Sequence, residues 1–134
     1  YHEVYNEILE YERINNIYYD YIFLTSGTGT TQAGLISGKI INGDSRKIIG
    51  ISNARRNPYG RKVVLESVNN YLSTLTNLIV LNKDIDFVDD FILDGYWGML
   101  EYIRNNKIHD KKILFIHTGG TPLFFDKLGE LIDE

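Results

Sequence analysis

A short segment of glycine and threonine, Ser26-Gly-Thr-Gly-Thr-Thr31, has the composition of an anion-binding loop. Its two glycines, Gly27 and Gly29, allow turn conformations that other residues avoid and let an anion come close to the backbone. The threonines add hydroxyl donors, and a helix predicted from Gln32 directs its N–H groups and its positive dipole end at the same place. These features favour a phosphate site without a lysine over the alternative, a tight strand-to-helix turn that holds no ligand.

The spacing around this loop excludes two common phosphate-binding motifs. Gly29-Thr-Thr-Gln-Ala-Gly34 has the glycine spacing of a nucleoside-triphosphate loop, but Leu35 and Ile36 stand where Lys and Ser or Thr would reach the outer phosphates and magnesium. A dinucleotide fingerprint would need glycine in place of Gln32 and an acidic residue after the second strand, which ends Ile51-Ser-Asn53. The sequence therefore predicts a phosphorylated cofactor or metabolite as the ligand.

Other polar residues give weaker indications of chemistry. His117 ends a predicted strand, and a structural histidine is the favoured interpretation. Arg55 and Arg56 follow the second strand and could bind a carboxylate or phosphate, although the start of a surface helix explains them better. Pairs of acids without a histidine fit an exposed loop, so no metal site is predicted at Asp84, Asp86, Asp89 and Asp90. No serine stands in a triad-like setting.

Helix and strand patterns alternate along the chain and supply the elements that would hold these residues. Amphipathic or capped stretches predict helices over residues 3–16, 32–41, 58–75 and 97–108, and a last helix after Pro122 that runs to Glu134. Runs of β-branched and aromatic residues predict strands over 18–24, 47–51 and 112–116, with a possible short strand over 78–81; residues 84–93 stay unassigned. The alternation predicts an α/β fold, a three-layer, mostly parallel twisted sheet with helices on both faces. Ligands bind at the carboxyl ends of such strands, where two loops rich in glycine and threonine stand, Ser26–Thr31 and Thr118–Thr121.

Composition sets the broad class of protein. The length of 134 residues is typical of one domain, and the hydrophobic fraction of 43% is enough for one core. The absence of cysteine excludes a disulfide scaffold, a thiolate zinc site and an iron–sulfur cluster. A net charge of −4 argues against nucleic acid or an anionic membrane as the main partner. No apolar run approaches the length needed to span a bilayer, so we expect a soluble, cytoplasmic protein.

Two motifs in combination resemble one enzyme family. Phe23-Leu-Thr-Ser-Gly-Thr-Gly-Thr-Thr-Gln-Ala-Gly-Leu35 is followed further along the chain by Ile113-Leu-Phe-Ile-His-Thr-Gly-Gly-Thr-Pro122. Both stand in the order and the strand–loop–helix context of the D-cysteine desulfhydrase and 1-aminocyclopropane-1-carboxylate deaminase family, pyridoxal-phosphate enzymes of the tryptophan-synthase β type. Segments 87–96 and 97–104 are similar to two further family segments. The resemblance covers nearly the whole chain and implies a tryptophan-synthase β-like fold, present in part.

The resemblance implies a role for each matching residue. The cofactor, pyridoxal 5'-phosphate, would be held through its phosphate by the first loop, that is by Gly27, Thr28, Gly29, Thr30 and Thr31. Thr118, beside Gly119 and Gly120, would face the pyridine nitrogen and leave it less protonated than an aspartate would. Tyr96 matches a family tyrosine near the substrate, a small amino acid, and would act as an acid–base group. With ten tyrosines in the chain, a structural role for Tyr96 is the favoured alternative.

The chain departs from the family pattern in two places. The family's lysine that carries the cofactor lies in a stretch that would precede Tyr1, and none of the eight lysines stands in a matching motif. Between Tyr96 and Trp97 the family has a further passage that is absent here. We therefore expect residues 1–134 to be a single α/β unit that resembles the cofactor-phosphate and C-terminal part of a larger two-domain enzyme. A segment would be missing between residues 96 and 97. The alternative is that the protein is a genuinely shortened relative of the family.

Three functions remain open at this point. The first is part of a pyridoxal-phosphate-dependent lyase or deaminase, which would eliminate sulfide and ammonia from cysteine or open a ring by deamination, with its lysine supplied by other sequence. The second is a non-catalytic phosphate-binding module or pseudo-enzyme of the same fold. The third is a sugar- or nucleotide-phosphate binder on an unrelated doubly wound fold. Members of the family commonly dimerise, so the resemblance also implies a homodimer.

Overall fold

A computed structural model describes residues 2–26, 29–52, 56–89, 95–116 and 122–125. Within these ranges the helices are α1 (His2–Asn15), α2 (Thr30–Asn42), α3 (Tyr59–Leu72) and α4 (Gly95–Asn105), with a 3₁₀ turn at Asn82–Asp84. The strands are β1 (Tyr21–Ser26), β2 (Lys47–Ser52), β3 (Asp86–Val88), β4 (Ile113–Ile116) and β5 (Pro122–Phe125). None of the described helices has the length and apolar character that crossing a membrane requires.

The strands form one sheet in the order β3-β2-β1-β4-β5. β1 pairs in parallel with β2 on one side and with β4 on the other, and β2 pairs in parallel with β3. β5 runs antiparallel to β4. The four parallel strands define a carboxyl edge of the sheet, where they end, and an amino edge, where they begin. The predicted α/β class with a mostly parallel sheet is confirmed.

Helices cover both faces of the sheet, because alternate side chains of a strand point to opposite faces. Ile22 and Leu24 of β1 pack with apolar residues of α1, α2 and α3. Phe23, between them, packs on the other face with Met99 and Ile103 of α4. All five side chains are buried, and burial of each contributes about 1.5–3 kcal/mol to folding. The predicted three layers are therefore present, with α1–α3 on one face and α4 on the other.

The prediction of a short strand over residues 78–81 is wrong. Among these residues Val80 alone is buried, and its backbone bonds to the side chain of Asn69 instead of to a strand: Val80 N–H donates to Asn69 Oδ1 at 2.8 Å and Asn69 Nδ2 donates to Val80 O at 3.0 Å. The strand at this side of the sheet is β3, which lies in the stretch that the sequence left unassigned. An apolar run alone did not separate a strand from a loop held by a side chain.

The prediction of a last helix directly after Pro122 is also wrong. Residues 122–125 form β5, and Pro122 lies opposite Ile116 across an antiparallel ladder with β4. The unpaired side of β4 supplies hydrogen-bond partners that a local pattern does not record, and phenylalanine is enriched in strands. The rest of the predicted helix, 126–134, lies outside the described residues.

Candidate functional site

The carboxyl ends of β1 and β4 lie side by side, since Leu24 is opposite Ile116 in parallel pairing. From β1 the chain continues through α2 to β2, which neighbours β1 on one side within the sheet. The neighbour of β1 on the other side is β4, which follows α4, the helix on the opposite face of the sheet. Such a reversal of strand order leaves a crevice at the carboxyl edge, and open α/β sheets bind ligands in that crevice. The segments that leave these two strands are the two loops that the sequence predicted to hold the ligand.

Several predicted cofactor residues lie in those segments and outside the described residues: Gly27, Thr28, Thr118, Gly119 and Gly120. The roles assigned to them stay predictions. The residues from which the two segments leave, Ser26 and Ile116, are described and stand at the same edge of the sheet.

The first turn of α2 is the part of the predicted phosphate loop that the structure describes. Gly29 caps the helix in a left-handed conformation with φ of 89°, and no side chain caps the helix there. Thr30 is exposed, Thr31 is half-buried, and the first turn contains no acidic residue. The first N–H groups of a helix have no acceptor within it and carry the positive end of its dipole, so this turn suits an anion.

Packing fixes the position of this turn against α3. A side chain at Gly29 would bring its Cβ to 3.1 Å from a methyl carbon of Val64, which is closer than ordinary van der Waals contact. The left-handed conformation itself also disfavours any residue with a Cβ. Glycine at position 29 therefore serves both the backbone conformation and the close approach of α2 to α3.

Gln32 lies in the same turn, and in the sequence it stands out merely as the residue that breaks a glycine pattern. Its side chain is fully buried, and its Nε2 donates to the backbone carbonyl of Asp86 in β3 at 2.8 Å. The amide crosses β2 at Gly50, where an added Cβ would collide with it. Gln32 thus ties the first turn of α2 to β3. The signal that could have found it is Gly50 itself, since a glycine inside a strand often marks a close approach.

Ser26 and Ser52 end β1 and β2 as register partners, and both are buried. They point to the same face as Leu24, the face that carries α2. Within the described part of the chain, the Oγ of Ser26 and the Oε1 of Gln32 are buried without a hydrogen-bond partner. Buried polar atoms in native structures nearly always have a partner, so these two atoms indicate a place for water or a ligand.

A further polar cluster lies where β3 ends and α3 begins. The backbone N–H of Asn57 donates to Asp89 Oδ2 at 2.8 Å. Asn57 Nδ2 and Arg61 Nη2 both donate to the carbonyl of Phe87, at 3.2 and 3.3 Å. These bonds attach the start of α3 to the carboxyl end of β3 and so hold the helix against which Gly29 packs.

The basic residues are distributed unevenly around the sheet. Arg56 is exposed, and Arg55 lies outside the described residues, so the suggested contact of this pair with a substrate stays a prediction. Lys62, in the first turn of α3, is exposed and lies 3.9 Å from Glu66. The other described lysines stand at helix ends or before strands near the amino edge, and they are Lys39, Lys47, Lys83, Lys107, Lys111 and Lys112. The described ranges therefore place no buried lysine beside the first turn of α2.

The acidic residues near β3 differ from the exposed loop that the sequence predicted. Asp84 is exposed, but Asp86 and Asp89 are half-buried, and Asp86 begins β3. Burial raises the pKa of the Asp86 carboxyl, although the positive charges of Lys47 and Lys39 oppose this effect. The described residues contain no group of three or more His, Asp or Glu that could hold a metal ion.

Tyr96 lies in the first turn of α4, on the face of the sheet opposite α2. Its ring meets that of Phe115 edge-on, with centroids 5.7 Å apart and an interplanar angle of 90°, and 40% of the residue is exposed. Since Phe115 is next to the last residue of β4, Tyr96 stands near the carboxyl edge. Its role as an acid–base group stays a prediction, as does the missing segment between Tyr96 and Trp97.

Comparison with curated proteins finds relatives named as 1-aminocyclopropane-1-carboxylate deaminases. A 1-aminocyclopropane-1-carboxylate deaminase of Ralstonia nicotianae is 31% identical over 96 residues, which are 72% of this chain and 27% of the relative. The corresponding protein of Pseudomonas syringae pv. tomato is 29% identical over 97 residues, with the same two shares of 72% and 27%. A probable 1-aminocyclopropane-1-carboxylate deaminase of Cryptococcus neoformans is 27% identical over 93 residues, which are 69% of this chain and 27% of the relative. No protein-family model matches the chain.

These similarities suggest that the chain is related to the 1-aminocyclopropane-1-carboxylate deaminases, one of the two enzyme groups in the family that the motifs resemble. The chain spans about a quarter of the length of the curated relatives it matches, with 27% of each of these three covered. None of the three is named a D-cysteine desulfhydrase, so that part of the resemblance rests on the motifs alone.

Proposed function

We propose that this chain is part of a pyridoxal-phosphate-dependent enzyme that deaminates a small amino acid, and that the first turn of α2 holds the phosphate of the cofactor. The observation that carries this proposal is the reversal of strand order at the carboxyl ends of β1 and β4, since α2 begins shortly after β1 at that edge and such reversals are where open α/β sheets bind ligands. Relatives named 1-aminocyclopropane-1-carboxylate deaminase support the class of reaction.

The described residues fit a phosphate at this place. Gly29 supplies the left-handed conformation from which the turn starts, and the first turn has no carboxylate to repel an anion. The hydroxyls of Thr30 and Thr31 stand in the same turn, and the buried Oγ of Ser26 lies at the end of the preceding strand. When bound, the cofactor supplies a ring that accepts electrons from the substrate.

The other residues of the site would orient the bound cofactor and handle protons. Gln32 keeps the phosphate-binding turn in place through its bond to β3. By the family resemblance, Thr118 with Gly119 and Gly120 would lie on the side of the pyridine nitrogen, and in the sequence this segment comes shortly after β4. Tyr96 would exchange a proton with the substrate at its phenol oxygen.

A titration tests the phosphate site directly. Isothermal calorimetry of the chain with pyridoxal 5'-phosphate, pyridoxal and inorganic phosphate should give binding of the phosphorylated cofactor, competition by phosphate, and much weaker binding of pyridoxal. Equal affinity for pyridoxal and its phosphate would contradict the proposal. Tighter binding of a sugar or nucleotide phosphate would favour the binder on an unrelated fold.

The second candidate is a non-catalytic phosphate-binding module of the same fold. The specific observation that favours it is that the described lysines lie away from the first turn of α2 or on the exposed side of α3. The proposed enzyme needs a lysine from other sequence, and we place it in a region that would precede residue 1. The complete reading frame should release ammonia from 1-aminocyclopropane-1-carboxylate, and borohydride should fix the cofactor to a lysine. Tight cofactor binding without either result would identify the module instead.

A further inference from the structure

Ser26 differs from an ordinary buried serine in the hydrogen bonding of its hydroxyl. The residue is 2% exposed, and its Oγ has no hydrogen-bond partner in the described part of the chain. Ser37, in α2, is 1% exposed, but its Oγ donates to the carbonyl of Ala33 at 2.8 Å. A helix offers a serine the carbonyl four residues back, whereas a strand has no such carbonyl within reach. Among the described residues, no group therefore offsets the cost of burying the Ser26 hydroxyl.

The side chain of Ser26 lies on the face of the sheet that α2 covers, at the edge where α2 begins. Ile22, Leu24 and Ser26 are alternate residues of β1, so they share one face, and Ile22 and Leu24 pack in the core that contains Ala33 and other residues of α2. Ser26 is the alternate residue nearest the carboxyl edge, where α2 begins three residues later at its cap, Gly29. The hydroxyl, unpartnered among the described residues, and the positive end of α2 thus share one face and one edge of the sheet.

We propose that Ser26 is a further residue of the phosphate site and donates a hydrogen bond from its Oγ to a phosphoryl oxygen. This inference rests on the proposed function and adds a residue that neither the motif nor the comparisons assign. A phosphoryl oxygen is a strong acceptor, and a hydrogen bond to a charged group is roughly twice as strong as one between neutral groups. The phosphoryl oxygen would thus be the hydrogen-bond acceptor that the Ser26 hydroxyl lacks among the described residues.

The variant Ser26→Ala distinguishes a role in binding from a role in stability, because only the first predicts weaker ligand binding without a loss of thermal stability. Without ligand, removing a buried hydroxyl that has no partner should leave the unfolding temperature unchanged or raise it. With pyridoxal 5'-phosphate, the dissociation constant should rise about tenfold, since the charge-assisted bond is lost. Inorganic phosphate should lose affinity by the same factor, while the weak binding of pyridoxal stays as it is.

Ser37→Ala is the matched control, because it removes a buried hydroxyl of α2 whose partner is within the helix. Its affinity for both phosphate probes should equal that of the parent chain. Ser26→Cys, which keeps the size of the side chain but is a weak donor, gives a second measurement if Ser26→Ala does not fold. We expect its affinity to lie below that of the parent.

The outcomes distinguish this inference from the proposed function. If the parent chain binds neither phosphate nor pyridoxal 5'-phosphate, the proposed function fails and this inference fails with it. If the parent binds both and Ser26→Ala binds them equally well, the proposed function stands and the role of Ser26 is wrong. A fall in the unfolding temperature of the ligand-free Ser26→Ala chain would also overturn it, because the hydroxyl would then have a partner within the protein.

Discussion

The two edges of the sheet bury polar side chains in different ways. At the amino edge, Arg46 is fully buried and its Nη1 and Nη2 donate to the two oxygens of Glu12, at 2.9 and 2.8 Å. Glu12 also accepts the backbone N–H of Tyr19 at 2.6 Å, and the guanidinium lies 4.2 Å from the ring centroid of Tyr18. This network joins the end of α1 to the starts of β1 and β2, and its charges compensate one another.

A tyrosine completes the network at the amino edge. The hydroxyl of Tyr5 donates to a carboxylate oxygen of Asp44. Burial, together with this hydrogen bond, raises the pKa of Tyr5 well above its usual value, so the phenol keeps its proton and remains a donor. Among the polar atoms of Tyr5, Glu12 and Arg46, the Nε of Arg46 alone is buried without a partner in the described part of the chain.

Toward the carboxyl edge, more of the buried polar side-chain atoms lack a hydrogen-bond partner in the described part of the chain. The other buried side-chain atoms that lack a partner within the described ranges are Ser26 Oγ, Asn57 Oδ1 and Arg61 Nε, toward this edge, and Gln32 Oε1, which reaches from the first turn of α2 over Gly50 in the middle of β2. A satisfied network stabilises a fold, whereas unsatisfied groups are retained where a ligand completes them. On the proposed function, the contrast predicts that variants at the amino edge change stability and that variants at the carboxyl edge change binding, and the following variants test it.

The largest expected effect comes from Glu12→Ala at the amino edge. This change leaves the guanidinium of Arg46 buried without its carboxylate, so the free energy of unfolding should fall by about 3–5 kcal/mol, as urea denaturation would measure. Replacing the pair together, as Glu12→Leu with Arg46→Met, should recover most of that loss. Cofactor affinity of the folded variant should not change. A weakened affinity would mean that the two edges are not separate.

Gly50→Ala tests the packing between the two edges. The added methyl group collides with the amide of Gln32, so we expect a loss of about 1–3 kcal/mol in unfolding free energy and weaker phosphate binding. In the background of Gln32→Ala the methyl group has room, and the double variant should lose much less than the sum of the single losses. Additive losses would contradict the close contact of Gln32 with Gly50.

The two ends of α2 offer a matched pair of glycines, Gly29 at its start and Gly43 at its end, with φ of 89° and 69°. Alanine at either position should cost about 1–2 kcal/mol of stability in thermal or urea unfolding, because both backbones are left-handed. Gly43 has no other atom within 4 Å of its position for a Cβ, whereas Gly29 faces Val64 at 3.1 Å. Gly29→Ala should therefore weaken phosphate binding and Gly43→Ala should not. Equal effects on binding would remove the distinction between the two edges.

The smallest effect is expected from Asp86→Asn, at the amino end of β3. Burial raises the pKa of this carboxyl, so its ionised form opposes folding and its protonated form does not. As pH rises above about 4, the usual carboxyl pKa, the native protein should lose stability relative to Asp86→Asn, and below that pH the difference should disappear. Unfolding temperatures from pH 3 to pH 8 would measure this. A difference that grows toward acid pH would contradict the sign.

The sequence predicted the repeating parts of the fold well, because these depend on local periodicity. The helix over 32–41 and the strand over 47–51 correspond to α2 and β2 with shifts of one or two residues. The predicted strand over 78–81 and the predicted start of the last helix are wrong for a common reason. Asn69 binds the backbone of Val80 and β4 pairs with residues 122–125, and in each case a segment outside the local pattern decides what the backbone binds. Local pattern carries no information on such partners.

The candidate site divides in the same way. Glycine and threonine around position 29 indicated an anion-binding turn, since residue type alone determines where a left-handed cap and a hydroxyl can occur. The contact between Gln32 and Asp86 joins residues 54 positions apart, and no spacing rule predicts it. The unpartnered hydroxyl of Ser26 is likewise invisible in a sequence, where every serine has the same donor and acceptors.

The sequence by itself thus determined α1 to α4, β1, β2 and β4 to within a few residues, and it indicated which loop has the composition of a phosphate site, because both follow from side-chain type and period. Tertiary structure alone decided that β4 lies beside β1, that β3 and β5 border the sheet, and that Ser26 Oγ and Gln32 Oε1 are buried without partners in the described part of the chain. Those features arise when distant segments meet and exclude water, and the free energy of a buried polar group depends on its neighbours in space and not on its neighbours along the chain.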